Sequence, residues 1–184
     1  MTSDKLSPTS YLVLSIVARI GPCTPFDMKK SVERCIGFFW SFPHSQLYAE
    51  PSRLTDMGLL SEYQEPTGRR RRLYTITERG RARLAEWWHT DGESIHEIRD
   101  SGLLKLYFGN LTSVSNSAEV AAMETAAHQE RLDRYRKAYN SMIDDPERDP
   151  LELRTLEFGL RYEALAVEFW HGTAEQLGSE PQEK

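Results

Sequence analysis

The sequence has little cysteine and no long apolar run. Its two cysteines, Cys23 and Cys35, both lie in the first fifth of 184 residues. A bridge between them would leave most of the chain unstapled, so a disulfide-framed secreted fold is excluded and a reducing compartment is expected. The longest apolar stretch, Tyr11 to Ala18, is interrupted by Ser15, whereas a membrane-spanning helix needs about 20 apolar residues. The same stretch makes a poor signal peptide. Asp4 stands beside Lys5 on its amino side, Arg19 ends it, and Gly21-Pro22-Cys23 offers no small-residue cleavage site. A cytoplasmic protein that does not engage membranes is expected.

Catalytic patterns are also missing. His44, His89, His96, His128 and His171 are scattered, and none stands at metal-ligand spacing from a cysteine. Gly68 and Gly80 do not make a phosphate loop. Asp144-Asp145 reads as a surface turn after a helix end, and His128 reads as a packed or hydrogen-bonded seam residue. The expectation is a protein that is not an enzyme, with no catalytic residues, no metal and no cofactor. There is no fixed-period repeat and no low-complexity tract.

What is present is a globular composition with a charge split. Apolar residues make up 39%, charged residues 28% and aromatics 10%, which argues against disorder. Residues 1–90 hold 13 Lys+Arg and 9 Asp+Glu, a net of +4; residues 91–184 hold 10 and 19, a net of −9. A basic first half within an acidic chain suggests a polyanion-binding module joined to a second module.

Local signals place the elements. Ser7 and Pro8 fit the cap and first position of a helix whose apolar stripe is Leu12, Val13, Ile16, Val17 and Ile20, stopped by Gly21. Thr24-Pro25-Phe26-Asp27 opens a second helix to about Cys35, because the threonine hydroxyl and the carboxylate three residues on satisfy free backbone donors. Phe26, Met28 and Val32 are its expected buried positions. A third helix covers about Pro43 to Met57, with Leu47, Leu54 and Met57 inward and Ser45, Ala49, Ser52 and Asp56 opposite. Gln46 and Tyr48 flank that outward side. Pro51 inside this helix removes a hydrogen bond and predicts a kink near Leu47 or an irregular first turn. Leu59 to Gln64 and Arg69 to Ile76 read as a hairpin around Glu65-Pro66-Thr67-Gly68, tipped by four arginines. Thr77 caps a fourth helix to about His89, and Ile95 to Phe108 reads as mostly helical. Ser117 is the expected cap of a long helix to about Ile143. A last helix runs from about Leu151 to Leu177. Trp40, Trp87, Trp88 and Trp170 are expected mainly in cores.

The two long helices carry apolar seams. In the first, Ala121, Thr125, His128, Leu132, Tyr135, Tyr139 and Met142 alternate by four and three. In the second, Leu153, Leu156, Leu160, Val167 and Trp170 form one side, and Phe158, Tyr162, Leu165 and Phe169 form another. A helix apolar on two sides must bury both, against its own chain and against a partner. Leu132, Tyr135, Tyr139, Leu156, Leu160, Val167 and Trp170 are the candidate dimerisation residues.

The order of three helices, a two-stranded hairpin and a helix is that of a winged helix-turn-helix. PHSQLYAEPSRLTDMGLLSEY, followed by GRRRRLYTITERGRARLAEWW, resembles the PadR family of bacterial transcriptional regulators. RDSGLLKLYFG and the later LEFGLRYEALAVEFW are similar to the carboxy-terminal dimerisation region of its longer subfamily. The resemblance spans about residues 8–178, and Ser45-Gln46-Leu47-Tyr48 and Thr77-Glu78-Arg79-Gly80 are its most specific parts. Pro51 departs from the commoner pattern.

The expected fold class is mainly α: a winged helix-turn-helix over residues 1–92 with a small β-hairpin wing, and long dimer-forming helices over 93–184. The resemblance implies a homodimeric, ligand-responsive repressor that binds double-stranded DNA at a near-palindromic operator; the effector is a small molecule of unspecified identity, and the family's binding of aromatic small molecules implies that one or two of the tryptophans could line its pocket. The residues expected at the DNA are Ser45, Gln46, Tyr48, Ala49 and Ser52 on the third helix, and Arg69, Arg70, Arg71 and Arg72 on the wing. Alternation along a strand would bring Arg69 with Arg71, or Arg70 with Arg72, to one surface. The competing reading is a protein-interaction adaptor that uses a winged helix without specific DNA binding.

Overall fold

A computed structural model of the chain describes residues 6–34, 45–68, 70–89, 99–146 and 148–179. Its contacts form two compact units, Met1–Ser94 and Ile95–Lys184. The boundary expected after residue 92 lies outside the described residues, as do Trp40 and the stretch 95–98.

The first unit contains helices α1 (Pro8–Ile20), α2 (Pro25–Arg34) and α3 (Gln46–Asp56), strands β1 (Leu60–Gln64) and β2 (Arg72–Ile76), and helix α4 (Glu78–Trp88). Helix α1 starts at a reciprocal cap: Ser10 N donates to Ser7 Oγ at 3.1 Å, and Ser7 N donates to Ser10 Oγ at 3.0 Å. Gly21 ends it at a φ of 79°. At the start of α2, Thr24 N and Oγ1 both donate to Asp27 Oδ2, at 3.0 and 2.7 Å. The hydrogen bonds from Thr24 hold the Asp27 carboxyl below its ordinary range.

Met28 and Val32 are buried as their spacing predicts, but Phe26 is 55% exposed. Two residues from Met28 is about 200° around a helix, which turns Phe26 away from the core. Its ring instead lies under Lys30 Nζ, 4.8 Å from the centroid.

Strands β1 and β2 pair antiparallel, from Leu60 opposite Ile76 to Gln64 opposite Arg72. Cys23 adds a one-residue bridge to Tyr74, donating to its carbonyl at 3.1 Å and accepting from its amide at 2.9 Å. Burial pushes the Cys23 thiol up to about 11, and the charge of Asp27 adds to this. It is a protonated core group at neutral pH. The core gathers Val13, Leu14, Val17, Met28, Leu47, Leu54, Leu60 and Tyr74 from α1, α2, α3 and both strands, with Leu84 of α4 half-buried against it.

Helix α4 is anchored at its first turn. Thr77 Oγ1 accepts from Gly80 N at 3.0 Å and faces the carbonyls of Gly58 and Leu59 at 2.9 and 3.0 Å. A Cβ on Gly80 would overlap the Leu59 carbonyl oxygen. Trp87 stacks on Tyr11 with centroids 4.7 Å apart, yet it is 38% exposed and Trp88 is 72% exposed. Neither is a core residue in this unit, because α4 is only partly covered by α1. Trp170, in the second unit, is buried.

The second unit contains α5 (Ser101–Tyr107), a 3-10 turn (Gly109–Leu111), α6 (Val114–Ile143) and α7 (Pro150–Ser179). The cap of α6 is Ser113, whose hydroxyl accepts from Asn116 N at 3.2 Å. Ser117, the expected cap, is one turn inside and buried against Gly109. Both serines precede the apolar seam, and the polar Val114–Asn116 turn is helical because Asn116 Nδ2 also donates to Thr112 Oγ1 at 2.6 Å.

Helices α6 and α7 run antiparallel: His128 meets Glu163, while Tyr135 meets Gly159. The His128 Nδ1 to Glu163 Oε2 distance is 2.6 Å, with both side chains buried, and Arg131 Nε donates to the same oxygen at 3.3 Å. His128 is thus a hydrogen-bonded seam residue, and Glu163 is its partner.

Leu54→Ala is expected to destabilise the first unit by about 2–5 kcal/mol, because the side chain is fully enclosed. Gly80→Ala should unfold it or lower its melting temperature by at least as much, since the obstructing atom is backbone. Thermal melts of the two variants check this, and a Gly80→Ala protein as stable as the parent would contradict the clamp.

Candidate nucleic-acid interface

Helix α3 presents one outward face. Its interior is fixed by Leu47, Pro51 and Leu54, all buried. Pro51 replaces an amide that would have bonded to the Leu47 carbonyl. The helix nevertheless runs unbroken from Gln46 through Pro51. In its first turn the amides of Tyr48 and Ala49 both donate to the Ser45 carbonyl, each at 3.2 Å.

Ser45, Gln46, Tyr48 and Ala49 lie exposed together at the amino-terminal end, and Tyr48 is 54% exposed. Ser45 makes no side-chain cap bond. Gln46 Oε1 accepts from Thr9 Oγ1 of α1 at 3.1 Å, which fixes which end of the amide faces out. Ser52 differs. It is half-buried, with its hydroxyl 3.3 Å from Tyr74 Oη, and so links α3 to β2.

Two residues that sequence reasoning overlooked brace the helix. Arg53 holds Glu50 in a two-point pair, Nη2–Oε1 2.6 Å and Nε–Oε2 3.0 Å, and also donates to Ser10 Oγ at 2.9 Å. Burial alone would raise the Glu50 carboxyl. Hydrogen bonds from Arg53 and Ser10, with the guanidinium charge, bring it below the usual carboxylate range. The i, i+3 spacing of Glu50 and Arg53 was a readable signal. Their contact with Ser10 across 43 residues was not.

The wing is shorter on its second strand than expected. Only Arg72 of the four arginines belongs to β2. Gly68 at φ 72° and Arg70 at φ 48° turn the chain through the left-handed region, so Arg70 and Arg71 sit in the turn and strand alternation does not apply to them. Arg69 lies outside the described residues. Arg71 is paired with Glu65 and Arg72 with Glu62. Arg70 makes no ion pair among the described residues, and its carbonyl accepts from Gln64 Nε2 at 3.4 Å. Arg81 of α4 is exposed, and Arg83 pairs with Glu86 at 2.7 Å.

The candidate dimerisation residues fall in two groups. Leu132, Tyr135, Leu156 and Trp170 are buried within the second unit of the single chain; Tyr139, Leu160 and Val167 are half-buried. The large hydrophobic residues left outward on α7 are Leu151, Phe158, Tyr162, Leu165 and Phe169, from 37 to 74% exposed. Among the described residues, no group of His, Cys, Asp or Glu is disposed to hold a metal ion. No described helix is long and apolar enough to cross a membrane.

The model of the PadR-like transcriptional regulator family matches residues 13–86, and the virulence activator alpha C-terminal model matches residues 98–177. Residues 13–86 are a domain of the PadR-like family of transcriptional regulators. A relative, the negative transcriptional regulator PadR of Bacillus subtilis, is 25% identical over 151 residues, 81% of each chain. The crystal structure of that PadR with operator DNA is similar at a TM-score of 0.82, covering 93% of this chain and 99% of the other at 22% identity. Its complex with p-coumaric acid is similar at 0.78 over 92% and 98%, at 21% identity. The Vibrio cholerae virulence activator AphA is similar at 0.73 over 92% and 98%, at 23% identity. These structural likenesses establish the winged-helix fold of the PadR-like chain and its long carboxy-terminal helices.

Tyr48→Ala is expected to leave stability within about 0.5 kcal/mol, as exposed substitutions do, while weakening binding to a cognate duplex. Ser52→Ala should do the reverse, costing about 1 kcal/mol by leaving Tyr74 Oη without this partner. Denaturant titration and a fluorescence-anisotropy binding assay separate the two. A Tyr48→Ala protein that loses stability but not affinity would overturn the assignment of the α3 face.

Proposed function

We propose that this PadR-like regulator is a homodimeric, ligand-responsive repressor that binds double-stranded DNA at a near-palindromic operator. The observation that carries this reading is the pairing of an exposed, uncharged amino-terminal face on α3 with an arginine-rich wing. Small and polar side chains at Ser45, Gln46, Tyr48 and Ala49 allow close approach to base edges in a major groove, while Arg70 to Arg72 face phosphate. Ser52 acts from behind that face, through Tyr74. In the proposed complex the residues at DNA are Ser45, Gln46, Tyr48, Ala49 and the wing arginines, Arg69 included.

The dimer is proposed to form through the second unit. Phe158, Leu165 and Phe169 leave a second apolar side on α7 after Leu156 and Trp170 are buried. Isolated helical pairs do not keep such a side wet when a symmetric partner can cover it. Two α3 helices then meet half-sites about 34 Å apart, or a multiple of it. Repression is supported by the Bacillus subtilis relative, a negative transcriptional regulator. An aromatic carboxylic acid as effector is supported by the p-coumaric acid complex of that relative. Such a ligand releases DNA only by favouring a different separation of the two reading helices.

The full chain should retard the DNA upstream of its own gene, and the logarithm of its affinity should fall linearly with the logarithm of salt, by about 0.9 per phosphate neutralised. Added p-coumaric acid should release the DNA. Binding that ignores salt, or no binding at low salt, would contradict the reading. Phe158→Glu combined with Leu165→Glu should make the protein sediment as one chain instead of two and weaken operator binding. A double variant that stays dimeric would move the interface elsewhere.

A further inference from the structure

The wing carries its own carboxylates, and they hold two of its arginines. Arg71 is gripped at two points: Nη2 lies 2.7 Å from Glu65 Oε1, and Nε lies 3.1 Å from Glu65 Oε2. The backbone closes the same turn, with Glu65 N donating to the Arg71 carbonyl at 3.0 Å. Arg72 Nε lies 3.5 Å from Glu62 Oε1 across the hairpin. Asp27, at the start of α2, adds its field to Arg71. Arg70 has no such counter-ion among the described residues. The Arg71 side chain is 62% exposed and that of Glu65 is 24% exposed, so the pair is formed on the surface that the proposed function turns toward DNA.

A guanidinium held at two points by a carboxylate presents the same fork that would hold a phosphate. We propose that Glu65 is a built-in competitor that occupies Arg71 until a phosphate displaces it. This rests on the DNA-binding reading above and deepens it. The competition lowers the wing's attraction for every duplex, because phosphate contacts carry no sequence information. It also places a negative charge beside the backbone of any DNA that docks. Occupancy therefore depends more on α3 than four successive arginines would otherwise permit.

The test uses the full chain, a random-sequence duplex and the duplex upstream of its own gene, at several salt concentrations. Glu65→Gln keeps the shape and removes the charge. It should tighten binding to the random duplex about threefold to tenfold and steepen the salt dependence by up to about one phosphate equivalent per chain. The gain on the cognate duplex should be of similar size, because the same exchange occurs at either phosphate backbone. In an Arg71→Gln background, Glu65→Gln should have little effect, which ties the change to the pair. Glu65→Ala serves where the glutamine variant is unstable.

Equal random-duplex affinity and equal salt slope for parent and Glu65→Gln, with the parent binding DNA, would overturn the competitor role and leave the DNA-binding reading intact. A parent that binds neither duplex at low salt would overturn both.

Discussion

The absence of one methyl group governs the first unit. Gly80 lies so close to the Leu59 carbonyl that any side chain there would displace the start of β1. The approach is held by Thr77, whose hydroxyl meets Gly80 N on one side and the Gly58–Leu59 carbonyls on the other. Because Leu59 and Leu60 are core residues, this contact sets where the hairpin leaves the core. The position of the wing beside α3 follows from it. The Thr-Glu-x-Gly stretch, among the most specific parts of the family resemblance, therefore has a steric reason and needs no part in DNA contact.

From that anchor, hydrogen bonds tie α3 to its neighbours. Ser52 reaches Tyr74 on β2, Tyr74 pairs with Cys23 ahead of α2, and Arg53 reaches Ser10 on α1. Ser52 and Arg53 join β2 and α1 to α3, which contains a proline, and the Tyr74–Cys23 bridge ties the start of α2 to the same strand. Having lost one internal hydrogen bond, α3 is thus held by tertiary contacts, as the proposed binding element requires. The exposed residues at its amino-terminal end are left free of packing duty, apart from the Thr9 contact that orients Gln46.

Local signals were legible in the sequence where chemistry and spacing agree. Ser7 with Pro8, Thr24 with Asp27, and Thr77 all cap as read, and the hairpin falls between the residues that its turn composition indicates. The buried seam of α6, from Ala121 to Met142, follows its four-and-three spacing. Readings failed where two positions offered the same chemistry. Ser113 and Ser117 both present a hydroxyl, and only the Thr112–Asn116 contact distinguishes them. Phe26 is apolar but lies on the wrong side of α2. The arginine run looked like strand, yet positive φ at Arg70 puts half of it into the turn. Long-range pairs such as His128 with Glu163, and Arg53 with Ser10, depend on packing that no local pattern encodes. The division of apolar residues between the inside of the α6–α7 pair and its outer side has the same cause.

The central claim is that the amino-terminal face of α3 and the arginine turn of the wing form one DNA-binding surface. Amide NMR spectra of the full chain, recorded while the duplex upstream of its own gene is added, test this most directly. The account predicts the largest shifts at residues 46–49 and 70–72, with the buried seam of α6 unmoved. Shifts confined to the second unit, with α3 and the wing silent, would contradict it.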